Sequence, residues 1–102
     1  MIRVVITTQA ERDIEDIWLA VAVNNPRAAT RIARAIAQRI NMLAEFPRLG
    51  TRRPDIRSGM RMMVQRPYLV LYAIHPDADD EAVETVEVVR IIDGRRDLRR
   101  LF

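Results

Sequence analysis

The chain has 102 residues, of which 49% are hydrophobic and 30% charged, and it contains no cysteine. This length is that of one domain, residues 1–102, with a single core, and the composition excludes a disordered or fibrous protein. The lack of cysteine excludes disulfides, thiolate metal sites and cysteine nucleophiles. All 17 cationic side chains are arginine, and against 14 carboxylates they give a net charge of +3.

The sequence gives no indication of a membrane protein or of a bound cofactor. The apolar run near the N-terminus is too short for a signal peptide, and no run approaches the length of a membrane span. One histidine, His75, cannot form an ordinary zinc site without cysteine, and no phosphate-binding glycine motif is present. We therefore expect a cytoplasmic protein with no metal, no cofactor and no membrane partner.

Charge is distributed unevenly along the chain. Residues 48–66 carry six arginines and one carboxylate, residues 94–102 carry four arginines and one carboxylate, and residues 77–87 carry six carboxylates and no cation. This pattern predicts one basic end of the fold and one acidic loop. Solubility and scattered ion pairs are the simpler explanation of such runs. The alternative is a polyanionic or acidic partner, because arginine matches phosphate and carboxylate geometry.

The N-terminal half predicts a strand followed by two helices. Ile2–Ile6 is a short apolar run typical of a strand, and Thr7 or Thr8 is a suitable cap for a helix that begins near Gln9. Trp18 is predicted to anchor this helix to the sheet, beside a buried stripe at helical spacing that comprises Ala10, Ile14, Ile17 and Val21.

Leu19 and Val23 fall on the opposite face of the first helix. Exposed apolar residues are common, but two in adjacent turns are also the pattern of a partner-binding patch.

Asn24–Pro26 ends the first helix and starts a second one that runs to about Phe46. Because the connection is so short, the two helices are predicted to form an antiparallel hairpin. The polar face of the second helix carries several arginines, among them Arg27, Arg31 and Arg34. A solvated face is the simpler interpretation of this stripe, because a long amphipathic helix needs one.

Three strands are predicted after the hairpin, at Met60–Gln65, Tyr68–His75 and Glu84–Ile92. The run from Tyr68 to Ile74 is apolar throughout, which is typical of a central strand buried on both faces. The predicted fold is α+β: an N-terminal strand, a helical hairpin, a three-stranded and mainly antiparallel sheet, and a short basic C-terminal tail or helix.

The order of these elements and of several short motifs resembles the RelE/ParE superfamily of bacterial toxins, and more closely its ParE branch. No single motif is specific, but the motifs occur in the same order over nearly the whole chain. They are Ala10 with Asp13–Trp18, Asn25–Pro26 with Ala28–Ala29, Leu43 with Phe46–Pro47 and Leu49–Gly50, Gly59–Arg61, Tyr68 with Tyr72, and Gly94–Asp97.

The resemblance implies the toxin of a type II toxin–antitoxin module, held inactive in a hetero-oligomer by a cognate antitoxin, usually of the ParD type. ParE-type members are associated with inhibition of DNA gyrase, whereas RelE-type members cleave messenger RNA on the ribosome. The two branches share a fold, so the choice between them depends on individual residues.

The residues favour a toxin that is not an enzyme. Arg61 stands where nuclease members keep a phosphate-binding arginine. Asp93 stands where several nuclease members and many ParE members carry histidine, and Gly94 replaces the tyrosine that often follows in nucleases. A carboxylate beside arginines has a lowered pKa and is a weak base. The alternative hypothesis is a ribonuclease that uses Arg61 with Asp93, and a third is a non-toxic module member that acts only in complex with its antitoxin.

The predicted binding residues form two groups, and some of them have structural alternatives. Arg61 could simply pair with a carboxylate such as Glu87. Tyr68 and Tyr72 lie on one face of one strand and are expected to pack in the core; they and Leu19 and Val23 are also our candidates for antitoxin contact. The candidates for target binding are Arg61, Arg95, Arg96, Arg99, Arg100, Leu101 and Phe102.

Overall fold

The structure is a computed structural model that describes residues 1–96. Two helices follow an N-terminal strand, and four strands follow the helices. In chain order the elements are β1 (Arg3–Ile6), α1 (Thr8–Ala22), α2 (Pro26–Glu45), β2 (Thr51–Arg52), β3 (Arg61–Gln65), β4 (Tyr68–His75) and β5 (Thr85–Asp93).

All five strands belong to one mixed sheet in the order β1-β5-β4-β3-β2. The N-terminal strand runs parallel to β5, with Arg3 opposite Thr85 and Ile6 opposite Val88, and the other neighbours are antiparallel. The predicted α+β class and hairpin are therefore right, but the sheet has five strands rather than three. The two-residue β2 is too short to show as a pattern in the sequence, and β1 has its partner at the far end of the chain.

Both helices begin at the caps that the sequence predicts. The hydroxyl of Thr7 accepts a hydrogen bond from the Ala10 N–H at 3.1 Å, and it donates one to the Val89 carbonyl at 2.9 Å. Thr7 therefore caps α1 and fixes its start against β5. At α2, the Asn25 side chain accepts from the Ala28 N–H at 3.0 Å and proline occupies the first turn.

The main core lies between the helices and one face of the sheet. Alternate residues of β4 point into it, because side chains along a strand alternate between its two faces. These residues are Tyr68, Val70, Tyr72 and Ile74, and Ala10, Ile36 and Ile40 pack against them from the helices. A smaller cluster of Met60, Leu71 and Ile92 lies on the other face. The two clusters confirm that β4 is a central strand buried on both faces.

Trp18 does not anchor α1 to the sheet, so that prediction is wrong. Its side chain is 38% exposed, and the two buried residues of α1 are Ala10 and Asp13. The apolar stripe of α1 already fills the contact with the sheet, and Trp18 on the flank of that stripe is left at the surface.

Candidate interaction surfaces

Arg61 lies in the core, where it holds the chain segment that follows α2. Its guanidinium donates to the carbonyl oxygens of Gly50 at 2.9 Å and of Arg48 at 3.2 Å, and the residue is only 6% exposed. The alternative of an ion pair with Glu87 is wrong, since Glu87 instead lies 3.2 Å from the His75 ring. Arg61 thus supplies hydrogen-bond donors to two backbone carbonyls of this segment.

Tyr72 completes this buried network. Its hydroxyl accepts a hydrogen bond from the Gly50 N–H at 2.7 Å and donates one to the Pro47 carbonyl at 2.9 Å. Burial raises the pKa of Tyr72 above its usual value. A Cβ atom on residue 50 would lie 2.6 Å from the Tyr72 ring, so only glycine allows this approach.

We expect Tyr72→Phe to lower the free energy of unfolding by about 1–3 kcal/mol, because it leaves the buried Gly50 N–H without an acceptor. Chemical denaturation measures the loss. Tyr68→Phe is the matched control, since the structure shows no hydrogen bond of the Tyr68 hydroxyl within residues 1–96. Equal losses in the two variants would contradict the role given to Tyr72.

Asp93, at the end of β5, is paired with the arginine that follows it in the turn. Its carboxylate accepts from the backbone N–H of Arg95 at 3.0 Å and from the Arg95 Nε at 2.9 Å. These hydrogen bonds lower the pKa of Asp93 from 3.8 to about 2. A carboxylate of such low basicity is poorly suited to take a proton from a hydroxyl at neutral pH.

An NMR titration of the Asp93 carboxyl is expected to have its midpoint near 2, and Arg95→Gln to move it up towards 3.8. Because the folded-state pKa is the lower one, the pair stabilises the fold above pH 3.8 and loses this effect as the pH falls to about 2. A midpoint that does not respond to Arg95→Gln would reject the pairing.

Arg61 and Asp93 do not form one site. Across the sheet, Arg61 is opposite Tyr72 and Asp93 is opposite Tyr68, so the two residues lie four positions apart along β4. At a rise of about 3.3 Å per residue, this separates them by roughly 13 Å along the strand direction. The structure does not bring together the two residues on which the ribonuclease hypothesis depends.

The acidic loop folds onto the basic segment that precedes β3. Arg48 donates to the carbonyls of Ala78 and Glu81 at 2.8 and 3.0 Å, and Arg52 forms a salt bridge with Asp79 at 2.9 Å. Within the same segment, Arg53 pairs with Asp55. The arginine run at residues 48–66 is therefore largely engaged within the protein, and it is not the free basic end that the sequence suggests.

Asp13 is a buried structural residue that sequence reasoning missed. One carboxylate oxygen accepts from the Arg90 Nε at 2.8 Å and from the Ile91 N–H at 2.9 Å, and the other accepts from the Arg90 Nη2 at 3.0 Å. The hydrogen bond with Asp13 raises the pKa of Arg90. Strand β1 pairs with β5 only as far as Val88, so after Val88 this edge of β5 has no neighbouring strand. Asp13 supplies the acceptor for the Ile91 N–H on that part of the edge.

The candidate antitoxin contacts fall into two groups by exposure. Leu19 and Val23 are 51% and 83% exposed, so both are available to a partner. Tyr68 and Tyr72 are 8% and 0% exposed and belong to the core, so the prediction that they contact the antitoxin is wrong for this fold. A second exposed apolar group lies at the C-terminal end of α2 and just beyond it, and consists of Met42, Phe46 and Leu49.

The candidate target-binding tail is described only in part. Arg95 and Arg96 are exposed and lie in the turn after β5, beyond Gly94, and Arg95 forms a salt bridge with Asp93. The predicted short C-terminal helix and the candidates Arg99, Arg100, Leu101 and Phe102 lie outside the described residues. Over residues 1–96, no helix is long and apolar enough to cross a membrane, and no cluster of three potential metal ligands occurs.

The architecture, two antiparallel helices packed on one face of a five-stranded sheet, is shared with a solved structure of the chromosomal ParDE TA system from P. aeruginosa. The TM-score is 0.73 at 20% sequence identity, covering 91% of this chain and 96% of that one. This similarity defines the fold. Sequence comparison is more specific: the family model described as "ParE toxin of type II toxin-antitoxin system, parDE" matches residues 4–98.

A similar curated protein is Toxin ParE3 of Caulobacter vibrioides, 34% identical over 100 residues that cover 94% of this chain and 90% of that protein. The chain therefore belongs to the ParE toxin family of type II toxin–antitoxin systems.

Proposed function

We propose that this ParE-type toxin inhibits DNA gyrase without catalysing a reaction, and that a ParD-like antitoxin neutralises it in a cytoplasmic hetero-oligomer. The observation that carries the proposal is the family match across residues 4–98. The absence of catalysis is supported by the use of Arg61 as a buried hydrogen-bond donor and by its distance from Asp93. Target binding is assigned to Arg95, Arg96 and the residues that follow them.

The second candidate function is cleavage of messenger RNA. It is favoured by one specific observation, a small cavity lined by Arg52, Gly59, Arg61 and Asp77 beside β3. However, Arg61 donates to two backbone carbonyls, and Asp77, the carboxylate in this lining, is already paired with Arg52 at 4.0 Å. A non-toxic module member remains the third candidate.

Inducing the chain without its antitoxin separates the three candidates. Gyrase inhibition predicts double-strand breaks, filamentation and a DNA-damage response, whereas ribonuclease activity predicts cut messages with intact DNA. Unchanged growth would support the non-toxic candidate. Purified gyrase that supercoils DNA at an unchanged rate in the presence of the chain would reject the leading proposal.

Leu19 and Val23 are our candidates for antitoxin contact, and a double variant tests them. We expect Leu19→Asp with Val23→Asp to weaken binding of the antitoxin at least 30-fold, which corresponds to about 2 kcal/mol for loss of an apolar anchor. Isothermal titration calorimetry measures the affinity. Val64→Asp is the control, because Val64 is also an exposed apolar residue but lies on β3. A similar loss in the control, or no loss in the double variant, would reject this surface.

A further inference from the structure

The strongest unexplained feature of the surface is the polar face of α2. Arg27, Arg31 and Arg34 are all exposed and follow one another at spacings of four and three residues, so they lie on one face of the helix. A groove runs along this face, and the three arginines line it together with Thr30 and Gln38. At a rise of about 1.5 Å per residue, the guanidiniums are distributed over roughly 10 Å of rigid helix.

These three arginines are not engaged in ion pairs in the described part of the chain. None of them forms a salt bridge with a carboxylate of residues 1–96. The helix itself offers none nearby, since its carboxylate is Glu45 at the C-terminal end. By contrast, Arg39 on the same helix donates to the Gln65 side chain at 3.1 Å, and Arg48 and Arg52 are held by the acidic loop.

The arrangement is unfavourable for the isolated helix. Arg27 and Arg31 are a like-charged pair one turn apart, and such pairs destabilise a helix by a few tenths of a kcal/mol. Both also lie towards the N-terminal end, where the helix dipole is positive and no acidic residue occupies the first turn. An anion bound along this face would relieve both effects.

The basic surface continues from α2 onto the sheet. A second groove is lined by Arg31 and by Arg66 of the turn between β3 and β4, and Arg66 also forms no salt bridge within residues 1–96. Tyr68 lines this groove but is buried, so the surface offers no exposed aromatic ring on which a single-stranded base could stack. A surface that offers guanidiniums but no exposed aromatic ring is better suited to bind a phosphate backbone than to bind single-stranded bases.

We propose that Arg27, Arg31, Arg34 and Arg66 form a sequence-independent contact surface for the phosphate backbone of duplex DNA. An α-helix fits the major groove of B-form DNA, about 12 Å wide, whereas the major groove of A-form RNA is deep and narrow, so DNA is the preferred duplex. Binding to DNA alone does not depend on the proposed function. Contact with the DNA that gyrase holds would be a further step, and only that step rests on the proposed function.

Fluorescence anisotropy with a labelled DNA duplex tests the proposal on the purified full-length chain. Binding to the duplex is expected to be measurable at about 50 mM salt. With four phosphate contacts, the logarithm of the association constant should fall with the logarithm of the salt concentration, with a slope of about −3 to −4. Arg31→Gln with Arg34→Gln is expected to make the slope shallower by about 2. Arg48→Gln with Arg52→Gln removes the same charge from arginines that are already engaged, and it is expected to leave the slope unchanged.

Four results would overturn the proposal. The first is an equal loss of DNA affinity in the two double variants, which would show a response to net charge alone. The second is an RNA duplex that binds as tightly as DNA, and the third is no DNA binding tighter than about 10⁻⁴ M at low salt. The fourth is a polyglutamate peptide that binds better than DNA and depends on Arg31 and Arg34, which would assign the face to an acidic protein segment. Because neither gyrase nor antitoxin is present, failure here is distinct from failure of the proposed function.

Discussion

Replacing Asp13 by alanine is expected to lower the free energy of unfolding by about 3 kcal/mol. The change leaves the largely buried Arg90 guanidinium without its partner and removes the acceptor for the Ile91 N–H. Breaking a buried ion pair from one side costs about 3–5 kcal/mol, and we take the lower end because alanine improves helix propensity and Arg90 retains some exposure. For a domain of this size the melting temperature should fall by roughly 15 °C.

Asp16→Ala is the matched control for this prediction. Asp16 is on the same helix but is exposed and forms no salt bridge within residues 1–96, so its loss should change stability by less than about 0.5 kcal/mol. Adding Arg90→Met to Asp13→Ala should restore part of the lost stability, because no buried charge then remains unpaired. Similar losses for Asp13→Ala and Asp16→Ala would contradict the structural role of Asp13.

Local signals predicted the elements well because their causes are local. The Thr7 and Asn25 caps satisfy N–H groups only three residues away, and both helix starts follow from them. The continuous apolar run of β4 likewise needs no knowledge of its neighbours to indicate a strand buried on both faces. The strand β2 was missed because its two residues are defined only by pairing with β3. The strand β1 was predicted, but its place beside β5 was not, because no local pattern encodes that pairing.

The candidate site was harder to predict because the partner of each charge is set by the tertiary fold. Arg61 and Arg48 look alike in the sequence, yet one is buried against carbonyls and the other is held by the acidic loop. No local pattern marks Asp13 as half of a buried ion pair, because its partner Arg90 is 77 positions away. A run of arginines therefore does not identify the free ones. In the described part of the chain, the arginines without a salt bridge include Arg27, Arg31 and Arg34 on α2, a face for which the sequence favoured simple solvent exposure.

Truncation of the chain after Asp97 is expected to abolish toxicity while leaving antitoxin binding largely intact. The deleted residues combine Arg99 and Arg100 with the apolar pair Leu101 and Phe102, and loss of two anchors of about 2 kcal/mol each would weaken target binding roughly a thousandfold. The proposed antitoxin contacts are Leu19 and Val23, which the truncation does not alter. Colony counts after induction measure toxicity, and calorimetry with the antitoxin measures binding.

Two full-length variants separate charge from apolar contact within the tail. Arg99→Gln with Arg100→Gln should weaken gyrase inhibition mainly through slower association, and the effect should shrink at high salt because screening already removes the attraction. Leu101→Ala with Phe102→Ala should instead speed dissociation, with little dependence on salt. If the truncated chain still kills cells when it is induced to the same level as the full-length chain, the tail is not the target-binding segment.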